Sequence, residues 1–380
     1  MARTREDFRE YLFDHYLPRW REHGQDANGA FVYHLNPDWS RAANPERRLR
    51  VQARQTYVFA KAAALGAGPE HIDAARLGFD YLLDNFADSE HGGFFLTVTP
   101  EGEPLDTNKE LYEHAFVLLA CAAMHEATGD ERALTTAHGI CELLDGNLAD
   151  AANGGFFEGA DRAWNARREG ARRQNPHMHL FEAMLAWSDI DPEGPWKQRA
   201  TDLLELFYAR FYDVPTDLLR EFYTQDWSPA AGEEGEVVEP GHHFEWVYLL
   251  EEYARIFGEA QWGDATMGLW GWGREHGLDP KGGAYDECRR DGSVARATKR
   301  VWPQTEWLRA LAIRYRDSLE TSWSEQIEAH LDWMRERYCA DTFPGWKEQI
   351  NAEGNVISDT MHATSVYHVF GAFTALMDAL

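Results

Sequence analysis

Six polar residues recur along the chain at nearly constant spacing: Arg54, His114, His179, His242, Glu306 and His368 lie 60, 65, 63, 64 and 62 residues apart. Each sits in a stretch of helical apolar periodicity. A second series keeps step with the first. Glycine-plus-aromatic turns stand at Gly29-Ala30-Phe31, Gly92-Gly93-Phe94, Gly154-Gly155-Phe156, Gly282-Gly283-Ala284-Tyr285 and Pro344-Gly345-Trp346, with a doubled gap of 128 residues between Gly154 and Gly282. A fixed period of this kind is the signature of a repeated supersecondary unit. Six units of about 63 residues account for the 380 residues.

Apolar spacing, bounded by Gly, Pro and Asp/Asn punctuation, predicts helices over 3–22, 47–66, 69–86, 107–128, 130–148, 175–190, 194–212, 241–257, 260–276, 303–317, 321–338 and 360–379. The alternating run Phe31-Val32-Tyr33-His34-Leu35 predicts a short strand after the first turn. Twelve helices in six pairs, with short strands in alternate connections, describe an all-α (α/α)6 barrel, one domain over 1–380. The even-numbered helices carry the six polar residues and form the inner ring. An open solenoid would need polar caps on its end repeats, whereas both ends here are rich in apolar residues.

Composition narrows the partners. The chain holds 37 basic and 64 acidic residues, a net charge of −27. That balance argues against nucleic acid and anionic membranes, which select cationic surfaces. The longest apolar run, Phe116 to Met124, is nine residues, about half of a bilayer crossing. The start lacks the apolar core of a signal peptide. Four scattered cysteines (Cys121, Cys141, Cys288, Cys339) form neither a disulfide framework nor a zinc knuckle. The expectation is a cytoplasmic protein, monomer or homodimer, with no cofactor. Only 6 of the basic residues are Lys, against 31 Arg. Acid excess with scarce lysine fits a surface that stays hydrated in concentrated salt.

The sharpest local motif is Glu239-Pro240-Gly241-His242-His243-Phe244-Glu245-Trp246. Pro-Gly opens a helix, and His242 and Glu245, three apart, share a face. Glu245 is expected to hold the His242 ring and raise its basicity, as a general base near neutral pH requires. In Asn175-Pro176-His177-Met178-His179, the two histidines are two apart and cannot share a helical face, so a helix-borne zinc pair is disfavoured. Asn175 and His179 do share one, and suit a polyhydroxylated ligand. Trp302, before Pro303 and Glu306, is placed to stack on a sugar ring. His368 lies mid-helix among apolar residues, in phase with His242 and Glu306. Arg54 needs a counter-charge, either Glu306 or Glu245 or a developing enediolate. Arg50 lies one turn earlier on the same face, where a second guanidinium suits an anionic sugar or pairs with a surface carboxylate. His114 is the weakest substrate-binding candidate, with a core role as its default. Histidines, glutamates and an arginine, without metal ligands or a nucleotide loop, suit proton abstraction beside a carbonyl, with the arginine stabilising a cis-enediolate.

The blocks Arg54-Gln55-Thr56-Tyr57, Asn175-Pro176-His177-Met178-His179, Pro240-Gly241-His242-His243-Phe244-Glu245-Trp246 and Trp302-Pro303-Gln304-Thr305-Glu306, with Tyr367-His368, resemble the N-acylglucosamine 2-epimerase superfamily, most closely its mannose isomerase and sulfoquinovose isomerase branch. The resemblance implies an (α/α)6 barrel without metal. It also implies interconversion of D-mannose and D-fructose, extending to D-lyxose and D-xylulose, with a 2-epimerase or sulfoquinovose isomerase as alternatives. It makes His242 and His368 the acid/base pair, with Arg54, Asn175, His179, Glu245 and Glu306 lining the site. Two other classes compete: a glycoside hydrolase working with Glu245 and Glu306, and a sugar- or protein-binding module without turnover.

Overall fold

The inner helices are built from residues too apolar to leave any face in water. In Leu111–Thr128, for example, every residue from His114 to Met124 is buried. The six inner helices are Leu49–Ala64, Leu111–Thr128, Asn175–Ile190, Pro240–Phe257, Val301–Ser318 and Ala363–Ala379. Each packs on the next, and the sixth packs on the first, closing the ring. The outer helices, Pro69–Phe86, Glu131–Asn147, Trp196–Leu206, Gly263–His276 and Thr321–Tyr338, bury one stripe and expose the other, as amphipathic helices covering a core do. The computed structural model describes residues 3–259, 263–339 and 344–380, so residues 260–262 of the helix expected over 260–276 lie outside them.

The remaining outer helix begins at Arg5, where Thr4 and Asp7 form a capping box. It widens into a π segment at Tyr11–Tyr16 before resuming as Leu17–Gly24. Pro18 supplies the reason: it has no N–H for the α-type bond to Asp14, so the register slips by one residue ahead of it.

Strands of two or three residues tie neighbouring units together at one end of the ring. Each strand before an inner helix pairs with a strand of the next unit: Arg47↔Val98, Lys109↔Ala160, Arg172↔Tyr223, Val238↔Cys288 and Lys299↔Ile350. The last pairing runs back to the first unit, His34↔His362 and Leu35↔Met361. These strands surround the N-termini of the inner helices, and the main polar cavity opens there.

The glycine turns are pinned by side chains of the inner helices. Gln52 accepts the Phe31 N–H at 2.8 Å, His114 the Phe94 N–H at 3.2 Å, His177 the Phe156 N–H at 3.0 Å, and Gln304 the Ala284 N–H at 2.7 Å. The fourth unit, whose glycine motif is missing from the sequence, has a hairpin of Tyr212–Asp213 and Leu218–Leu219 instead. There His243 accepts the Leu219 N–H at 3.2 Å. Gly93 shows why the turn needs glycine: its φ is +67°, and a Cβ would come within 2.5 Å of Trp164 and 2.9 Å of the His114 ring.

Candidate active site

This pinning rank corrects one sequence expectation. His114 is fully buried, with Nε2 taking the Phe94 N–H and Nδ1 set 2.7 Å from the Glu110 carbonyl, so it braces a turn and does not reach the cavity. Burial pushes its pKa down to about 4, keeping it neutral. The residue of the second unit in register with the cavity is Phe116. The inward rank is Arg54, Phe116, His179, Glu245, Glu306 and His368, with increments of 62, 63, 66, 61 and 62 residues. The pinning rank, Gln52, His114, His177, His243 and Gln304, repeats the first four of these increments two positions earlier. His242 belongs to neither rank and sits one turn above Glu245, nearer the helix N-terminus.

The cavity measures about 250 Å³. Its lining includes eight of the ten candidates, Arg50, Arg54, Asn175, His179, His242, Glu245, Trp302 and His368, and Glu306 sits behind it against His368. Trp302 packs beside both His242 and His368, its ring 5.1 Å from that of the first and 5.5 Å from that of the second. Gly241 allows this: a Cβ there would come within 2.4 Å of the Trp302 ring.

The partner of His242 is Glu221, which the sequence reading missed, and not Glu245. Both Glu221 oxygens lie 3.0 Å from His242 Nδ1, and Gln174 donates to the same carboxylate at 3.0 Å while accepting from Trp246 at 2.8 Å. Burial opposes charge on His242, but the fields of Glu221 and Glu239 and the hydrogen bond to Glu221 outweigh it and push the pKa up to about 9. The Asn175 amide lies 3.2 Å from Nε2, and its oxygen has no other partner. Turned toward Nε2, that oxygen accepts the second proton of an imidazolium.

His368 is the opposite case. Burial, with Arg54 and Arg309 adding to it, drives its pKa well below the ordinary value. Its Nδ1 lies 2.8 Å from Glu306, whose other oxygen takes Arg309 at 3.0 Å. With Nδ1 so engaged, Nε2 is the ring's free lone pair.

Arg54 pairs with neither Glu306 nor Glu245. It donates to the Tyr112 hydroxyl at 2.7 Å and the Thr364 carbonyl at 3.2 Å, inside a cage of Phe116, Tyr112 and Tyr367. Among the described residues no carboxylate neutralises it. Arg50, at the mouth, faces Tyr112 and stands 3.8 Å from Glu113, a weak pairing that satisfies part of its charge.

Glu245 is 1% exposed and neither oxygen has a hydrogen-bond partner. Burial, with Glu306 and Glu182 nearby, raises its pKa well above the carboxylate range, so it is a neutral acid able to donate. Glu182 was also missed. It accepts from Tyr367, holds His179 Nδ1 at 3.2 Å, and stays ionised, its pKa held down to about 2 despite burial by His179 and Arg309. Two sets of donor atoms, His179/Glu182/Glu245 and Glu245/Glu306/His368, lie close enough to hold a metal ion. In both, the carboxylates other than Glu245 are already engaged, Glu182 by Tyr367 and His179, and Glu306 by Arg309 and His368. The segment 226–240, acidic and glycine-bearing, is a short helix, Gly232–Glu236, followed by a strand pinned to Glu287–Arg289; of it only Glu239 lines the cavity.

A closed ring of six helix pairs, with imidazoles, carboxyls and a guanidinium converging at one end, defines a helical-barrel enzyme acting on sugars. The chain belongs to the N-acylglucosamine 2-epimerase family, whose profile matches residues 29–372. It is 32% identical to a mannose-6-phosphate isomerase of Rhizobium meliloti, over 97% of this chain and 96% of that one. Among solved structures it resembles a cellobiose 2-epimerase of Spirochaeta thermophila (TM-score 0.89, 25% identity, 99% and 96% of the two chains) and a D-mannose isomerase (TM-score 0.88, 22% identity, 99% and 97%). It is therefore a sugar isomerase or epimerase of this family.

Proposed function

We propose that the protein is an aldose–ketose isomerase interconverting D-mannose and D-fructose, and D-lyxose and D-xylulose, through a cis-enediolate. The observation that carries this reading is Arg54, a buried guanidinium without a carboxylate partner beside two histidines of opposite protonation. A cation left unneutralised in an aromatic cage is pre-organised for negative charge that arises only during reaction. His368, neutral, takes the proton from C2 on Nε2. His242, as imidazolium, protonates the ring oxygen and takes the O1 proton back as the ring opens, and it then donates to O1 as negative charge develops there. Arg54 stabilises that oxygen's charge. Returning the proton from His368 to C1, as the O2 proton passes to His242, gives the ketose. Asn175, His179 and Glu245 bind hydroxyls, and Trp302 covers the carbon chain.

The 2-epimerase reading has one specific support. The cavity carries two imidazoles, His242 and His368, both beside Trp302, and one on the opposite face of C2 from the other would return the proton there. Proton NMR of D-mannose with the protein in D2O and EDTA decides between them. Fructose as first product supports the isomerase; glucose as the dominant early product overturns it in favour of the epimerase. Dependence on added metal would refute the metal-free scheme.

A further inference from the structure

A third sixfold rank runs through the turns: Tyr33, Leu96, Glu158, Glu221, Asp286 and Glu348, spaced by 63, 62, 63, 65 and 62 residues. In five units the backbone of this residue receives or closes the strand end; Glu348, for instance, accepts the Val301 N–H at 2.9 Å and Glu158 that of Leu111. Each unit also carries a residue one position before its inner helix, or two in the third unit: Arg48, Glu110, Arg173, Glu239, Arg300 and His362. Where the turn residue is acidic, its side chain is normally spoken for. Glu158 takes the Arg173 backbone N–H and guanidinium at 2.7–2.9 Å, Asp286 takes those of Arg300 at 2.7–3.0 Å, and Glu221 takes His242.

Glu348 is the exception. In its unit the arginine is replaced by His362, 3.7 Å away and held neutral, its pKa lowered to about 4 by burial, His34 and Arg48. One Glu348 oxygen accepts from Ser365 at 2.7 Å, and the other has no hydrogen bond among the described residues. The residue is 9% exposed and lines the cavity. Burial pushes its pKa up to about 7, against the Ser365 bond and Arg300 and with Asp286. Ser365 is one turn N-terminal to His368 on the same helix, about 5 Å nearer the mouth.

We propose that Glu348 is a substrate-binding carboxyl that takes the C5 and C6 hydroxyls of an open-chain hexose whose C1–C2 end lies against His242 and His368. This rests on the isomerase reading for the orientation of the sugar. The distance suits it: three or four bonds of an extended chain separate C2 from C5 and C6, matching one helical turn. A carboxyl accepts from two neighbouring hydroxyls, a role open to a Glu348 oxygen that has no hydrogen bond among the described residues and faces the polar cavity.

The test uses the full chain, with D-mannitol and erythritol as unreactive probes and D-mannose as substrate. Glu348→Gln is expected to weaken mannitol binding and raise the mannose KM by ~10-fold or more, leave kcat within ~3-fold, and leave erythritol binding unchanged, since four carbons do not reach. His362→Arg, which restores the pairing found in the third and fifth units, is expected to sequester Glu348 and raise KM in the same direction with an unchanged or higher melting temperature. Mannitol affinity and KM unchanged in Glu348→Gln overturn the proposal. So does a joint fall of kcat and melting temperature at constant KM, which marks Glu348 as a strut for Ser365. Mannitol binding that depends on Glu348, without turnover of mannose, would sink the isomerase reading and leave this site standing.

Discussion

Replacing Glu221 by Gln keeps the shape of the His242 support and removes its charge. In the native protein both Glu221 oxygens sit 3.0 Å from Nδ1, and the His242 pKa stands near 9 in a fully buried site. Without that carboxylate, burial is opposed mainly by Glu239, and the pKa falls back toward the ordinary value of ~6.5. If His242 works as imidazolium, its protonated fraction at pH 8 falls from ~90% to ~3%, a loss of ~30-fold in turnover. At pH 6 the same fractions are ~100% and ~75%, so the loss shrinks to less than ~2-fold. The assay is mannose turnover from pH 6 to pH 10 in both proteins. The alkaline limb is expected to move down by ~2 pH units. An equal loss at every pH, or a limb that stays where it was, would refute the assignment of His242 as the acid.

The same pair sets a stability slope. His242 has a folded pKa near 9, above its unfolded value, so its contribution is complete below pH ~6.5 and is lost as pH rises through 9; native melts should weaken by an order of ~3 kcal/mol over that window, and Glu221→Gln should flatten the slope. Arg54→Met is expected to lower kcat by ~10²–10³ while mannitol binding and melting temperature hold, because it removes a cation with no carboxylate partner; retained kcat would show that Arg54 does not meet the enediolate. His114→Ala leaves the Phe94 N–H buried and unpaired, a cost of about 1–3 kcal/mol in thermal unfolding. His114→Gln, the residue used at the equivalent positions 52 and 304, is expected to recover most of it, with kcat/KM unchanged in both variants. Titrating KCl to molar concentration is expected to raise the melting temperature of so acidic a chain (net −27); indifference to salt would remove the case for a salt-adapted surface.

The period, the closed ring and most of the cavity were legible in the sequence because helical units repeat their apolar pattern and their turn glycines. The phase within each helix was not. Residues two apart on a helix point to opposite sides, and polarity alone does not say which side is the cavity: His114 and His177 look as functional as His179 and His242. The signal that separates them is the distance from the preceding turn, since a Gln or His stands 20 or 21 residues past Phe31, Phe94, Phe156 and Ala284. Counting from the turns assigns His114 to the braces and leaves Phe116 facing inward. Glu221 was hidden for a different reason. It lies between two short strands in the one unit whose turn carries no glycine, so neither a motif nor the ladder marked it. Glu182 lies in a helix that was correctly read, but its role depends on Tyr367 and Arg309 of distant helices, a convergence that only the closed ring creates.

The seam where His34 and Leu35 meet His362 and Met361 has a consequence for how activity arises. Arg54 leans on Thr364, and Gln55 on Ala363, across the same seam, some 310 residues away along the chain. Five of the six unit junctions join neighbours in sequence; this one carries the entropy of closing nearly the whole chain, ~5 kcal/mol on a logarithmic loop scale. Five units can stack as they emerge from synthesis, yet Arg54 and His368 come together only when the sixth inner helix docks. On the proposed mechanism the ring works as an interlock, with no chemistry before it closes. Because the seam is geometrically one junction among six, joining the present ends and reopening the chain between other units should move the interlock without dismantling it.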